Sequence, residues 1–161
     1  MASQPLHFEP NSLYIILLDL GAACLFEWQL YLASTSTTGR AFQITNDAGP
    51  LAWKYKGEVV YDMATSSKLV VALQLGIIGP TMHAALAARL ALVPLTVYSV
   101  RYRESLCCRV WILEALFALD DEGYLDNKKG VREIEQEARQ SAILNKSRQT
   151  RSVVRSSGFV S

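Results

Sequence analysis

The pattern of hydrophobic and polar positions divides the chain into a strand-rich first half and a helix-rich second half. Residues 13–20 form an aliphatic, β-branched run of buried-strand length. Residues 25–33 alternate instead. They separate Phe26, Trp28, Leu30 and Leu32 from Glu27, Gln29 and Tyr31, as a strand with two unlike faces must. Gly21, Ala22 and Ala23 supply the turn between the two. Turn formers at 34–39 and 46–50 bound a third strand over 40–45, and 51–55 with 58–61 complete an antiparallel meander. Strands in succession before any helix predict an α+β arrangement.

After residue 66 the period changes. The run 69–75 reads equally as a short helix or a buried strand, and periodicity alone does not arbitrate. Pro80 suits a first helical turn and opens a helix to about Leu92, which Pro94 ends. Residues 95–102 have strand character. Ser105 is the expected N-cap of a helix running to about Leu119 and stopping at Gly123. That helix is apolar nearly all round, which predicts a central place in the fold. A more polar helix over 131–145 carries Val131, Ile134, Ala138 and Ala142 on one stripe. The predicted fold is therefore α+β, with an antiparallel sheet of four to six strands packed on a central Cys-bearing helix. Residues 1–10 are expected to be a flexible lead, 11–147 a single domain, and 148–161 a basic flexible tail. From Arg139 onward the chain holds five basic residues and no acidic ones.

Composition narrows the function classes. The 161 residues are 50% hydrophobic and 19% charged with a net charge of +1, so no global field draws the chain to nucleic acid. No apolar run reaches the roughly 20 residues a membrane span needs. The run at 13–18 is preceded by Glu9 rather than by Lys or Arg and is followed by Asp19, which argues against a secretory leader. Three cysteines, two of them adjacent, argue against a disulfide framework and for a reducing, cytoplasmic setting. His7 and His83 are the only histidines, and neither has a carboxylate or cysteine at ligand spacing, so neither a metal nor another cofactor is expected.

Candidate chemistry centres on Cys107 and Cys108. With Ser105 as N-cap they fall at the second and third helical positions, where unsatisfied N–H groups and the helix dipole favour a thiolate, and Arg103 and Arg109 push the same way. A strand carrying a polar group against a cysteine at a helix N-terminus is how papain-like thiol enzymes are built. Here the strand offers Glu27. A carboxylate is a weak base beside a thiol and raises the thiol's own pKa. His83 could serve as base only if the fold brings its helix to the cysteine.

The stretches LFEWQLYLAS, GRAFQITND, LAWKY, MHAALAARL and SLCCRVWILEALFALDDEGYL resemble a family of small filamentous-fungal proteins. The resemblance covers about residues 13–154. The family's helix motif, Cys-Arg-x-Trp, is matched by Cys108, Arg109, Val110 and Trp111. Its order of strand, second polar strand and Cys-helix is similar to circularly permuted papain-like folds of the NlpC and lecithin:retinol acyltransferase type. Glu27 and Gln43 stand where that pattern implies histidines. The resemblance thus implies a papain-like scaffold that keeps a cleft but lacks the base for its thiol. Such a cleft, lined by Gln43, Tyr31, Trp28 and Trp111, would bind an apolar small molecule in specialised metabolism, with Glu27 promoting proton transfer or cyclisation. The alternatives are a cysteine-dependent hydrolase or acyltransferase using Cys108 with His83 or Glu27, and an interaction subunit of a heteromer; the partners expected are an apolar small molecule and a homo- or hetero-oligomer.

Overall fold

The computed structural model describes residues 5–21, 25–126 and 128–159. The chain is an α+β protein with a six-stranded, mostly antiparallel sheet and three helices. Its main strands are β1 (Ser12–Asp19), β2 (Phe26–Ala33), β3 (Gly39–Thr45), β4 (Lys54–Val60) and β5 (Leu69–Ile77). They are followed by α1 (His83–Ala91), a two-residue pairing of β6 (Tyr98–Ser99) with β7 (Glu104–Ser105), α2 (Cys108–Asp121), α3 (Val131–Arg148) and β8 (Ser152–Arg155). The sheet order is β4-β3-β2-β1-β5-β8; β8 runs parallel to β5, and the other neighbours are antiparallel.

The ambiguous run at 69–75 is a strand. It pairs with β1 on one side and β8 on the other, and its residues are buried on both faces, which explains its lack of period. The same holds for β1, whose Leu13, Ile15, Ile16 and Leu17 are all fully buried. Alternation along the strands sorts the buried side chains into two clusters. On one face Ile15, Leu17, Trp28, Leu30 and Phe42 join Val110, Trp111 and Leu116 of α2 and Ile134, Ala138 and Ala142 of α3. On the other face Tyr14, Ile16, Tyr31, Ala33, Ala41 and Ala72 form a second cluster with Phe8, Met63 and Ala64.

That second face explains two departures from the sequence reading. No α-helix among the described residues contributes to it, so the residues ahead of β1 do. Leu6 donates its N–H to Ala64 O at 3.0 Å, and the Phe8 ring, 2% exposed, packs 5.1 Å from Tyr14 and 4.9 Å from Tyr31. The lead is therefore a packed segment by Leu6; residues 1–4 lie outside the described residues. Likewise the tail expected to be flexible from residue 148 enters the sheet. Val153 and Val154 pair with Ala72 and Leu73, and Asn145 Nδ2 donates to Val70 O and Ser152 Oγ. Arg155 ends this edge strand exposed to solvent, whereas Arg151, just ahead of it, donates Nη2 to Ala64 O at 2.7 Å and has its Nε and Nη1 buried without a partner among the described residues.

Smaller differences have local causes. Residues 51–55 and 58–61 do not make two strands; one strand, β4, spans Lys54–Val60, and Leu51 is exposed. Residues 95–102 make only the short β6 pairing, because Val97, Tyr98 and Val100 find no layer to pack under and face solvent. The turn assigned to 21–23 is described only at Gly21, whose φ of 93° suits a glycine; Ala22, Ala23 and Cys24 lie outside the described residues. Gly39 is required for a different reason: a Cβ there would sit 2.5 Å from the Tyr31 ring.

Two stability measurements test this packing. Phe8→Ala should cost about 3–5 kcal/mol, or roughly 10 °C in melting temperature for a chain of this size. Deleting residues 149–161 should lower the melting temperature by about as much, since it uncovers one edge of β5. A change of only a few degrees in either would show that these segments do not dock.

Candidate functional site

The alternation of β2 determines where the candidate residues of this strand go. Trp28 belongs to the helix-side cluster with Trp111, and the two are 3% and 0% exposed. Glu27, Gln29 and Tyr31 take the opposite face, as Ala41 and Gln43 do on β3. Gln29 ties the polar members of this group together. Its Nε2 donates to Gln43 Oε1 at 3.0 Å and more weakly to Glu27 Oε1 at 3.4 Å. Gln29 and Gln43 are buried, while Glu27 is half-buried.

The expected ligand-lining set is therefore split by the sheet. Gln43 and Glu27 share a polar cluster, but Trp28 and Trp111 are core residues on the far side. Trp111 stacks obliquely with Tyr55 at 5.9 Å, and its Nε1 is buried without a hydrogen-bond partner among the described residues. Tyr31 lines no cleft either. It is fully buried between Phe8 and Gly39, its hydroxyl finds no partner among the described residues, and burial pushes its pKa up to about 12. A phenol in that state stays protonated through the neutral range. Surface cavities lie elsewhere, one of about 360 Å³ beside Lys68, Asn145 and Lys146 and another of about 370 Å³ along α3 between Arg132 and Ile143.

Cys108 stands at the first position of α2, two positions nearer the helix start than Ser105 as N-cap would place it. Ser105 lies in β7, and Cys107 is the N-cap, with an extended backbone and its carbonyl accepting from Trp111 N–H at 3.0 Å. The Cys108 thiol is pushed above its ordinary range, first by burial, with Cys107 and Glu27 adding in the same direction. The backbone N–H groups of Trp28 and Arg109 oppose the shift without cancelling it. The thiolate expected at a helix N-terminus is thus not favoured: desolvation of a half-buried sulfur outweighs the dipole.

His83 is occupied where it stands. Its Nε2 is 2.9 Å from Ile78 O, and because a carbonyl only accepts, that nitrogen carries the proton. The ring anchors the start of α1 to Ile78, the residue that follows β5, and it is not among the groups that act on the Cys108 thiol. Arg109, expected to draw the thiol toward its anion, is turned to carboxylates instead. It pairs with both oxygens of Glu104 and with Glu135, and Arg132 joins the same two acids at 3.0 and 3.2 Å. Arg132 also donates to Tyr102 O at 2.8 Å. This network joins the 98–105 hairpin to α2 and α3.

The network and Gln29 were the polar features that sequence reasoning missed. A signal for the first was present: Glu135 is a carboxylate beside Ile134 in the stripe Val131, Ile134, Ala138, Ala142, a position that needs a partner when buried. Gln29 carried no signal without the β2–β3 register. Among the described residues, no group of three or more His, Cys, Asp or Glu is placed to hold a metal ion, and no helix is long and apolar enough to cross a membrane. Comparison with protein-family models, with curated proteins and with solved structures finds no match to this chain.

The charge network carries a pH signature. Arg109, and then Arg132, hold Glu104 down to about 2, although burial works against them. A carboxylate depressed in the folded state stabilises the fold above its ordinary range near 4.5 and loses that contribution as pH falls toward 2. Wild-type melting temperature should therefore fall over this window, and Glu104→Gln should fall less steeply. Parallel profiles for the two proteins would show that Glu104 contributes nothing there.

Proposed function

We propose that this chain is a papain-like scaffold without covalent catalysis, which binds its ligand through the Glu27–Gln29–Gln43 cluster. The observation that carries the first half is the state of Cys108: a half-buried thiol with a raised pKa, under the field of a carboxylate, with His83 engaged at another element. A thiol enzyme needs the reverse, a depressed pKa and a base within reach. The placement of Cys108 at the start of a helix, near the backbone of Trp28, supports the papain-like part of the reading.

For the second half, Glu27 is half-buried and keeps acceptor capacity beyond the weak bond from Gln29, while Gln43 presents an amide in the same cluster. These groups suit a ligand with a donor for the carboxylate and apolar surface around it. The resemblance to the fungal family adds the substrate class, an apolar intermediate of specialised metabolism. Any reaction on it would be a proton transfer or cyclisation at Glu27 rather than acyl transfer at Cys108.

Alkylation separates this reading from a thiol enzyme. Iodoacetamide should label Cys108 more slowly than free cysteine at pH 7, with half-maximal rate above the ordinary thiol range, and Cys108→Ala should leave the fold intact. Rapid labelling at pH 6, with hydrolysis of p-nitrophenyl acetate lost in Cys108→Ala, would establish the thiol enzyme. Glu27→His is the complementary variant. It places an imidazole where the family pattern has one, and gain of Cys108-dependent ester hydrolysis would support the papain-like geometry.

A further inference from the structure

The strand β4 is one end of the main sheet, and β8 is the other. The inner side of β4 pairs with β3 over Lys54–Val60, and no strand among the described residues follows it in the sheet order. Among the described residues, no turn or loop backbone hydrogen bond reaches residues 54–60. α1 packs against β4, with Leu86 and Leu90 in the helix-side cluster, but no described backbone hydrogen bond uses the outward N–H and C=O groups of the strand, which makes it a template for strand addition. Lysines on an edge ordinarily discourage such pairing. Here their arrangement instead selects one partner.

On the face away from Trp111, β4 presents Lys54, Lys56 and Glu58 to solvent, the last two with side chains about half exposed. On the helix side it presents Tyr55, Gly57 and Val59. Antiparallel pairing of two copies about Gly57 places Lys56 opposite Glu58 of the second copy, and Glu58 opposite Lys56. The same register sets Tyr55 against Val59 twice and Trp53 against Tyr61 twice. Aromatic–β-branched, aromatic–aromatic and opposite-charge pairs are the favourable cross-strand combinations. Sliding by two residues one way sets Lys56 against Lys56, with Lys54 against Glu58 twice, and the other way sets Glu58 against Glu58, so the register about Gly57 is the one of the three without a like-charge pair. Val59 and Tyr61 are 55% and 74% exposed in the single chain, and this pairing gives each a cross-strand neighbour. Lys56 and Glu58 lie 3.4 Å apart along the strand, so in the dimer each exchanges a local partner for one across the interface.

We propose that β4 is the interface of a twofold homodimer, in which two copies pair antiparallel about Gly57 and their sheets become continuous. The inference is independent of the ligand reading above, since no residue of the Glu27 cluster takes part.

Sedimentation velocity on the full chain, from low to high micromolar concentration, tests it through charge reversal. Wild type should reach twice the chain mass. Glu58→Lys gathers four lysines at the dyad and Lys56→Glu gathers four glutamates, so each should weaken self-association at least about tenfold. The double variant K56E/E58K keeps every cross-dyad pair opposite in sign and should restore the dimer. Mixing the two single variants should give a heterodimer, because one copy then carries only acid and the other only base at these positions. Both sites are on an exposed edge, and circular dichroism reports whether each variant folds. If Glu58→Lys does not fold, Lys56→Glu with the double variant carries the same test. A wild type that stays monomeric throughout, or a dimer indifferent to both reversals, would overturn the proposal.

Discussion

Burial of β1 on both faces is the constraint on which the rest of this structure depends. A strand with no solvent-facing side can exist only if two layers cover the sheet, and each layer must be apolar where it touches. The helices supply one layer, with Trp111 and Leu116 of α2 and Ile134 and Ala138 of α3 meeting Ile15, Leu17 and Leu30. The other face is covered by shorter pieces of chain: Phe8 ahead of β1 and the single turn Met63–Thr65 between β4 and β5. Segments that look dispensable by composition are recruited because an uncovered Tyr14, Ile16 or Tyr31 would cost more than ordering a few residues of chain.

Burial also governs where the charges go. Arg109 lies one residue after Cys108, close enough in sequence to suggest a cation for a thiolate. In the fold its guanidinium is committed to Glu104 and Glu135, where planar, bidentate geometry and partial burial make the pairing strong. Glu135 sits beside the buried stripe of α3 and would be an uncompensated charge without its arginines. The network secures the hairpin to both helices, and the thiol is left with burial and the fields of Cys107 and Glu27, which the N–H groups of Trp28 and Arg109 only partly oppose.

The candidate site shows how a two-residue period both helps and misleads. Alternation in β2 separates Trp28 from Glu27, although both residue types look functional when read one at a time. Residues on opposite faces of one strand cannot line one pocket. The cluster that does form, Glu27 with Gln29 and Gln43, is made by neighbours on one face, and it depends on β2 and β3 pairing with Leu30 opposite Phe42. That register is a long-range property, which no local window of sequence contains.

From the sequence alone came the α+β class, the strands around residues 13–20, 25–33 and 40–45, and the three helices with their apolar stripes. These are local quantities: side-chain period, turn chemistry and helix stops act within a few residues. Tertiary structure decided whether 69–75 is strand or helix, because a segment buried on both faces has no period to read. It also decided that 152–155 joins the sheet, since β5 has an edge to fill and Val153 and Val154 are close enough in chain to α3 to reach it. Finally it decided the state of Cys108 and the engagement of His83, which depend on burial and on a carbonyl from another element. Desolvation and hydrogen-bond partners are set by what folds against a residue, and that is written across the whole chain rather than beside it.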